Sequence, residues 1–268
     1  MSSKRKPSDK IGECGTTKCL KLSAQKNDFK NTLQNSVTKD NIESNVSISP
    51  CNTRLSTPFF EVPCIDLARA LLGQYLVRMV GTQRVSGRIV ETEAYLGLED
   101  KAAHSYKGKR TQRNEAMFMQ PGTAYVYNIY GMYCCLNISA QGDGCAVLVR
   151  ALEPIENIEV MKAERGNRST KKLKNKDMTN GPSKLCQALQ ISKQTFNQTD
   201  LCVSDLLWLE KGDNIHIHEM ICCPRINIGY SEEWKHKPLR FYISGNECVS
   251  VKDKTAEVEK AKSTFKVQ

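Results

Sequence analysis

Apolar positions follow a regular pattern only after Thr57. From there, short apolar or alternating runs separated by glycine-containing turns predict strands, and a few runs with helical start and stop signals predict helices. The predicted strands are 75–80, 85–95, two within 125–139 that break near Tyr130-Gly131, 145–152, 206–209, 214–222 and 239–244. The predicted helices are 67–72, capped by Asp66, one that has Pro154 in its first turn and ends at Gly166, and 183–189, capped by Ser183.

The order of these elements indicates the fold class. Strands that follow one another with few helices between them predict an α+β domain with a largely antiparallel sheet. We assign residues 57–254 to this domain. Residues 1–56 are rich in Ser, Asn, Thr and Lys and predict a disordered basic tail, and the charged residues 255–268 predict a frayed C-terminal tail.

The charge of the chain favours a polyanionic partner. The 268 residues hold 39 Lys+Arg against 29 Asp+Glu, a net charge of +10, and half of this excess lies in residues 1–56, with ten basic and five acidic residues. Within this segment Lys4-Arg5-Lys6-Pro7 resembles a nuclear-import signal, although a solvated tail that raises affinity for nucleic acid explains it equally well. We expect a nuclear protein, with the mitochondrion as a second candidate compartment.

The sequence speaks against two other classes of protein. No stretch approaches the roughly 20 consecutive apolar residues that span a bilayer, and the N-terminus lacks the apolar block of a secretory signal. We therefore expect neither a membrane nor a secreted protein. Twelve cysteines are spread from Cys14 to Cys248 without a C-x-x-C pair, which predicts free thiols in a reducing compartment rather than a disulfide framework.

The strand 87–95 carries the first candidate chemistry. Because alternate strand residues share a face, Glu91, Glu93 and Tyr95 point the same way. Two carboxylates at this spacing repel and raise the proton affinity of one of them, unless each finds its own partner, one structural and one catalytic. A polar strand face on the surface is the simpler alternative.

Four tyrosines within nine residues form a second candidate site. Tyr125 and Tyr127 alternate as strand residues do, but Tyr130 breaks the register beside Gly131, where a tight turn is expected. A large ring at a turn has no core to fill. In a basic protein it fits a wedge that enters stacked nucleic acid, and the alternative is a plain hairpin rich in aromatic residues.

Other polar runs are less specific. The basic stretches 107–113 and 165–176 and the run Gly181-Pro182-Ser183-Lys184 could contact phosphates, although a charge run is a solvated face by default. His216 and His218, followed by Cys222 and Cys223, would share a strand face and suggest zinc, but no second ligand pair lies at zinc-like spacing.

An ordered set of motifs gives the chain a family resemblance. The motifs are Gly-Arg-Ile-Val-Glu-Thr-Glu-Ala-Tyr (87–95), 100–104, Thr-Gln-Arg-Asn (111–114), Met-Phe-Met-Gln-Pro-Gly (117–122), 125–137, 142–144, 148–154 and 181–185. Together they resemble the alkyladenine (N-methylpurine, 3-methyladenine) DNA glycosylase family over about 57–251. The resemblance implies a single mixed domain with a curved, largely antiparallel sheet, flanking helices and a protruding β-hairpin.

The resemblance also implies a function. A protein of this family flips an alkylated or deaminated purine, such as 3-methyladenine, 7-methylguanine, hypoxanthine or ethenoadenine, out of duplex DNA and hydrolyses its N-glycosidic bond, leaving an abasic site. It uses no metal and no cofactor. We expect a monomer whose partner is double-stranded DNA containing damaged purines, and whose N-terminal tail contacts other repair proteins.

Site residues follow by position in the matched motifs. The catalytic pair is Glu93, the general base that activates water, and Arg150, a neighbour of that water. The pocket walls are Tyr95, His104 and Tyr127, Asn137 excludes normal guanine, and the smaller pocket positions are Ala102, Ala103, Cys135 and Leu148. Tyr130 intercalates into the DNA, and the candidate DNA-backbone contacts are Lys109, Thr111, Arg113 and Lys184.

Two alternatives remain at this stage. A non-catalytic damaged-DNA-binding protein on the same fold would lack the carboxylate at position 93, and here Glu93 is present. A zinc- or thiol-dependent regulatory protein would be built on the 216–223 cluster, and metal analysis of the purified protein distinguishes it.

Overall fold

The computed structural model describes residues 53–166 and 173–265, so the nuclear-import motif and nearly all of the predicted tail lie outside the described residues. The α-helices of the described part are α1 (Thr57–Phe60), α2 (Cys64–Ala70), α3 (Ile158–Gly166), α4 (Pro182–Ala188), α5 (Lys193–Phe196) and α6 (Lys254–Phe265). Its strands are β1 (Tyr75–Val80), β2 (Gln83–Leu96), β3 (Ala124–Ile129), β4 (Tyr133–Ser139), β5 (Cys145–Glu156), β6 (Leu207–Glu210), β7 (Met220–Cys223) and β8 (Arg240–Ile243).

The strands form one curved sheet in which every described pair is antiparallel, so the predicted α+β fold class is confirmed. The order along the sheet is β3-β4-β5-β2-β1-β6, and β8 pairs with both β2 and β7. Strand β2 is central. One of its edges pairs with β5, and the other pairs first with β1 and then, at Glu91–Glu93, with β8.

The pairing of β2 with β5 is irregular in the middle of both strands. Ile89 faces Leu152 and Glu91 faces Ala151, so Val90 has no opposite residue; the next pair skips Arg150 in the same way. Such bulges bend a strand and re-aim its side chains, and they are common beside active sites. Here they lie within three residues of Glu93 on β2 and at Arg150 on β5.

The β3–β4 hairpin ends in an exposed turn. Tyr130 lies in the left-handed region with φ +51°, and its side chain is 91% exposed. Gly131 follows with φ +75° and open space where a Cβ would stand. The prediction that the register breaks here, with a ring that fills no core, is confirmed.

Helices α2 and α4 pack on the sheet. In α2 the buried residues Leu67 and Ala68 pack on β2, where the Thr92 hydroxyl donates to the Ala68 carbonyl at 2.7 Å. Helix α4 packs on β4 and β5 through Leu185 and Cys186. No helix in the described ranges is both long and apolar enough to cross a bilayer.

Several predicted element boundaries are wrong. Pro154 does not start a helix, since β5 continues through it to Glu156 and α3 begins only at Ile158. A proline is tolerated there because Pro154, opposite Gly87 of β2, lies next to a register shift in the β2–β5 pairing, and prolines within sheets are found at such bulges. Helix α2 begins at Cys64, and Asp66 lies inside its first turn, 3.6 Å from Arg69, instead of capping it.

Other differences lie later in the chain. Helix α4 begins at Pro182 after Gly181, so Ser183 is not its cap. Of the strand predicted over 214–222, only β7 forms, because 217–219 make a 3-10 turn in which the Glu219 carboxylate accepts from the His216 backbone. The residues 255–268, which were predicted to fray, instead include most of α6, which contacts β7.

Candidate active site

A cavity of about 330 Å³ opens between β2, the β3–β4 hairpin, β5 and the loop 225–230. The predicted site residues that line it are Tyr95, Ala102, His104, Tyr127, Tyr130, Cys135, Asn137, Leu148 and Arg150. Residues far apart in the sequence thus meet around one cavity of a size typical for ligand sites. Their individual roles stay predictions.

Glu93 lies directly behind the lining residues Tyr95 and Arg150 and is fully buried. The Tyr95 hydroxyl donates to its Oε2 at 2.9 Å, the Ile226 backbone N–H donates to its Oε1 at 2.8 Å, and Arg150 Nη1 lies 3.2 Å from Oε2. A carboxylate offers about four lone-pair sites, so these three neighbours leave one for a water molecule. The alternative of a solvated strand face is wrong.

Glu91 is held by a different set of donors. It accepts from Arg150 Nε at 3.1 Å, Arg240 Nη1 at 2.9 Å and the Ser250 backbone N–H at 2.8 Å. The two carboxylates therefore have separate partners and share only Arg150. Burial lowers the pKa of Arg150, but the carboxylates of Glu93 and Glu91 outweigh burial and leave the pKa above its ordinary value. Arg150 is thus a fixed cation between them.

Aromatic rings form the walls of the cavity. His104 meets Tyr127 edge to face, with ring centroids 4.7 Å apart, and Tyr125 lies against Tyr127 at 5.3 Å. Burial, followed by the charge of Glu93, raises the pKa of Tyr95 well above its ordinary value, so its hydroxyl keeps the proton that it donates. The walls can therefore stack on a planar group without being charged themselves.

His104 is held as a neutral ring. Its Nδ1 lies 2.8 Å from the Tyr125 hydroxyl oxygen. Burial, then the positive charges of Arg113 and Lys109, lower the pKa of His104 to about 4. At neutral pH the imidazole is uncharged, and one of its nitrogens can accept a hydrogen bond while the other donates.

Small and polar residues complete the cavity. Asn137 is almost fully buried, and its Nδ2 donates to the Tyr125 carbonyl at 3.1 Å, which fixes the orientation of the amide. Ala102, Cys135 and Leu148 are buried and line the same space. Burial raises the pKa of Cys135 to about 11, so it is a thiol and not a nucleophilic thiolate.

Ala103 was expected in the lining, but it is buried without lining the cavity, because the turn after Asp100 directs Ala102 there.

The predicted backbone contacts lie outside the cavity. Lys109 and Arg113 are exposed, as a phosphate contact requires. The Thr111 hydroxyl donates to Asn114 Oδ1 at 2.9 Å, so it shapes its own loop. Lys184 is half-buried and donates to Asn180 Oδ1 at 2.7 Å, a bond that it would have to give up to reach DNA.

The loop 225–230 was not predicted to be part of the site. Arg225 is fully buried, its Nη1 and Nη2 donate to the carboxylate of Asp100 at 2.6 and 2.8 Å, and its Cζ lies 4.6 Å from the centre of the Tyr95 ring. The loop thereby holds the Ile226 N–H against Glu93, while Asn227 and Tyr230 line the cavity. A backbone N–H donor is not marked by any particular residue type, so the sequence offers no signal for the Ile226 N–H. The only indication in this loop is its single arginine, which stands among residues without a recognisable pattern.

The histidines and cysteines of 216–223 are not arranged as the zinc hypothesis requires. The rings of His216 and His218 stack, with centroids 5.4 Å apart and planes 8° from parallel. Among the described residues, no group of three or more His, Cys, Asp or Glu side chains is placed to hold a metal ion. The nine cysteines in the described ranges are free thiols.

A buried carboxylate behind an aromatic slot, with an exposed ring on a neighbouring hairpin, suits an enzyme that acts on a base taken out of a duplex. The site thus fits the class of DNA glycosylases. The family model of methylpurine-DNA glycosylase matches residues 58–247. The chain belongs to the methylpurine-DNA glycosylase family.

Relatives agree with this assignment. The chain is 52% identical over 213 residues to the DNA-3-methyladenine glycosylase of Homo sapiens, covering 76% of this chain and 70% of the human protein. It is 53% identical over 212 residues to the protein of the same name from Mus musculus, covering 76% of this chain and 63% of the mouse protein. A probable DNA-3-methyladenine glycosylase of Encephalitozoon cuniculi is 49% identical over 189 residues, 70% of this chain and 89% of that protein. The match therefore spans about two thirds of the mammalian relatives.

Proposed function

We propose that this DNA glycosylase of base excision repair removes alkylated and deaminated purines, among them 3-methyladenine, 7-methylguanine, hypoxanthine and ethenoadenine, from double-stranded DNA. It hydrolyses the N-glycosidic bond with an activated water and leaves an abasic site. The observation that carries the proposal is the position of Glu93, buried behind an aromatic slot and held there by Tyr95, Arg150 and the Ile226 N–H.

Base extrusion is energetically feasible with the rings present. Taking a nucleotide out of the stack costs a few kcal/mol, and less for a poorly paired lesion. Stacking on an aromatic side chain recovers about 1–3 kcal/mol per base. Tyr130 can fill the vacated space at little internal cost because it is 91% exposed and packs on no core. Tyr95, His104 and Tyr127 would hold the extruded base on the other side.

The chemical step uses the free lone pair of Glu93. As a carboxylate it takes a proton from a water whose oxygen bonds to the anomeric carbon while the bond from that carbon to the base nitrogen breaks, and its charge stabilises the oxocarbenium character that develops there. A base that is cationic in the DNA leaves as a neutral molecule, and a neutral base leaves as an anion that takes a proton from solvent. Arg150 fixes the carboxylate through the ion pair with Oε2. A positioned general base of this kind contributes about 10²–10⁴-fold in rate.

The test is excision from defined duplexes. Oligonucleotides with one hypoxanthine or ethenoadenine are incubated with protein, and abasic sites are cleaved with alkali. We expect cleavage at the lesion, and we expect Glu93→Gln to lower the single-turnover rate at least 100-fold while lesion binding persists. Glu99→Gln, which changes an exposed carboxylate outside the cavity, is the matched control. Near-normal excision by Glu93→Gln would remove that residue from its role, and binding without any release of a base would favour the non-catalytic alternative.

Three further expectations belong to this proposal. The protein acts as a monomer, since a glycosylase that encloses one base needs one cavity. It works in the nucleus, with the mitochondrion as the second candidate, as the basic run 4–7 suggests. Its N-terminal residues contact other repair proteins. Size-exclusion chromatography, imaging of a tagged chain with and without residues 1–8, and co-purification with the tail test these three in turn.

A further inference from the structure

Two guanidinium groups lie against the tyrosine walls of the slot. Arg225 Cζ is 4.6 Å from the ring centre of Tyr95, and Arg113 Cζ is 5.4 Å from the ring centre of Tyr127. Both distances are within the range of a cation–π contact. Tyr95 and Tyr127 line the cavity, whereas the two arginines do not, so each cation lies outside the space that a base would occupy.

The two cations differ in whether a carboxylate neutralises their charge. Arg225 is fully buried and forms a two-bond ion pair with Asp100, so it adds no net charge beside the slot. Arg113 is exposed, and within residues 53–166 and 173–265 no carboxylate lies within ion-pair distance of it.

The remaining charges around the cavity balance. Arg150 lies between Glu91 and Glu93, and Arg240 pairs with Glu91. His104 is neutral, as the lowering of its pKa by burial and by Arg113 and Lys109 indicates. Arg113 and its neighbour Lys109 are therefore uncompensated positive charges beside the slot, and of these two only Arg113 touches a wall of it.

A cation on the outer face of a ring weakens the attraction of the inner face for a second cation. The ring's electron density is drawn toward the first charge, and the two charges repel through the ring. Over roughly 8–10 Å, and at an effective dielectric of about 30–50 because Arg113 is exposed to water, that repulsion amounts to about a three- to tenfold change in an equilibrium or rate. A neutral base in the slot is free of this repulsion.

We propose that Arg113 is a specificity-determining residue, whose guanidinium behind the Tyr127 wall shifts the preference of the slot from cationic lesions toward neutral ones. The proposal deepens the proposed function and rests on it. Cationic bases here are those methylated at a ring nitrogen, such as 7-methylguanine, and neutral ones are hypoxanthine and ethenoadenine. The role requires an unpaired guanidinium in the DNA complex, so it is an alternative to the phosphate contact predicted for Arg113.

The experiment compares Arg113→Gln with Lys107→Gln. Lys107 belongs to the same exposed basic loop, but its Nζ lies over Tyr106, which does not line the cavity. Both variants lose one positive charge and should lose affinity for undamaged DNA to a similar extent. Excision of 7-methylguanine and of hypoxanthine is measured in the same duplex, corrected for spontaneous base loss.

We expect the ratio of 7-methylguanine to hypoxanthine excision, as kcat/KM, to rise about three- to tenfold in Arg113→Gln and to stay constant in Lys107→Gln. Arg113→Lys, which keeps the charge, should stay near the parent ratio. An unchanged ratio in Arg113→Gln, an equal change in Lys107→Gln, or an equal loss on both lesions would overturn the inference. If the parent protein releases neither base, it is the proposed function that fails.

Discussion

The buried ion pair between Asp100 and Arg225 gives a quantitative prediction. Asp100 accepts four hydrogen bonds, two from Arg225 and one each from the backbone N–H groups of Leu96 and Ala102, so every lone-pair site is used. Both partners are fully buried. The variant Asp100→Asn removes the negative charge and leaves an unpaired buried guanidinium, which costs about 3–5 kcal/mol of the free energy of unfolding.

The assay is urea denaturation followed by circular dichroism, with the free energies of unfolding extrapolated to water. Glu159→Gln is the control, because it removes an ion pair with Lys162 in which the carboxylate is 84% exposed, and such pairs contribute about 0–0.5 kcal/mol. The double variant Asp100→Asn with Arg225→Met should recover part of the loss, since no buried charge remains and the amide oxygen introduced at position 100 can still accept from the backbone N–H of Leu96 or Ala102. A loss below about 1 kcal/mol in Asp100→Asn would refute the reasoning.

Two other predictions concern single rings. Tyr130→Ser should weaken binding to lesion DNA without altering thermal stability or the order of base preferences, because the ring packs on no core; unchanged affinity in a binding titration would end its role as a wedge. His104 should titrate at about 4 by NMR, and because this pKa lies below the ordinary value of 6.5, its contribution to stability is complete above pH 6.5 and is lost as the pH falls toward 4. His104→Gln should therefore lose less stability over that window, and an equal loss would contradict the assignment.

The positions of side chains that depend only on local strand and turn geometry could be predicted from the sequence. Strand alternation alone puts Glu91, Glu93 and Tyr95 on one face, and the break in register beside Gly131 puts Tyr130 at a turn; both are confirmed. The roles of these residues, by contrast, came from the family resemblance.

Contacts between distant segments could not be predicted. Arg225 and Asp100 are 125 positions apart, and the Ile226 N–H that binds Glu93 belongs to every residue type except proline. The length of β5 past Pro154 depends on its pairing with β2, in which Glu156 lies opposite Ser86, and this is a property of the sheet. Helix α6 has weak apolar periodicity in a charged segment, and its position against β7 comes from tertiary packing.

One edge of β2 pairs with both β1 and β8, and this has a consequence for when the surroundings of Glu91 form during translation. Glu91–Glu93 pair with β8, and Glu91 is bound by Arg240 and Ser250, near the C-terminal end of the described domain. A chain still emerging from the ribosome holds β1 to β6 and the hairpin before it holds these partners. Glu91 therefore acquires two of its three donors only when translation has passed residue 250, and a chain truncated before β8 would leave this buried carboxylate with Arg150 alone among them.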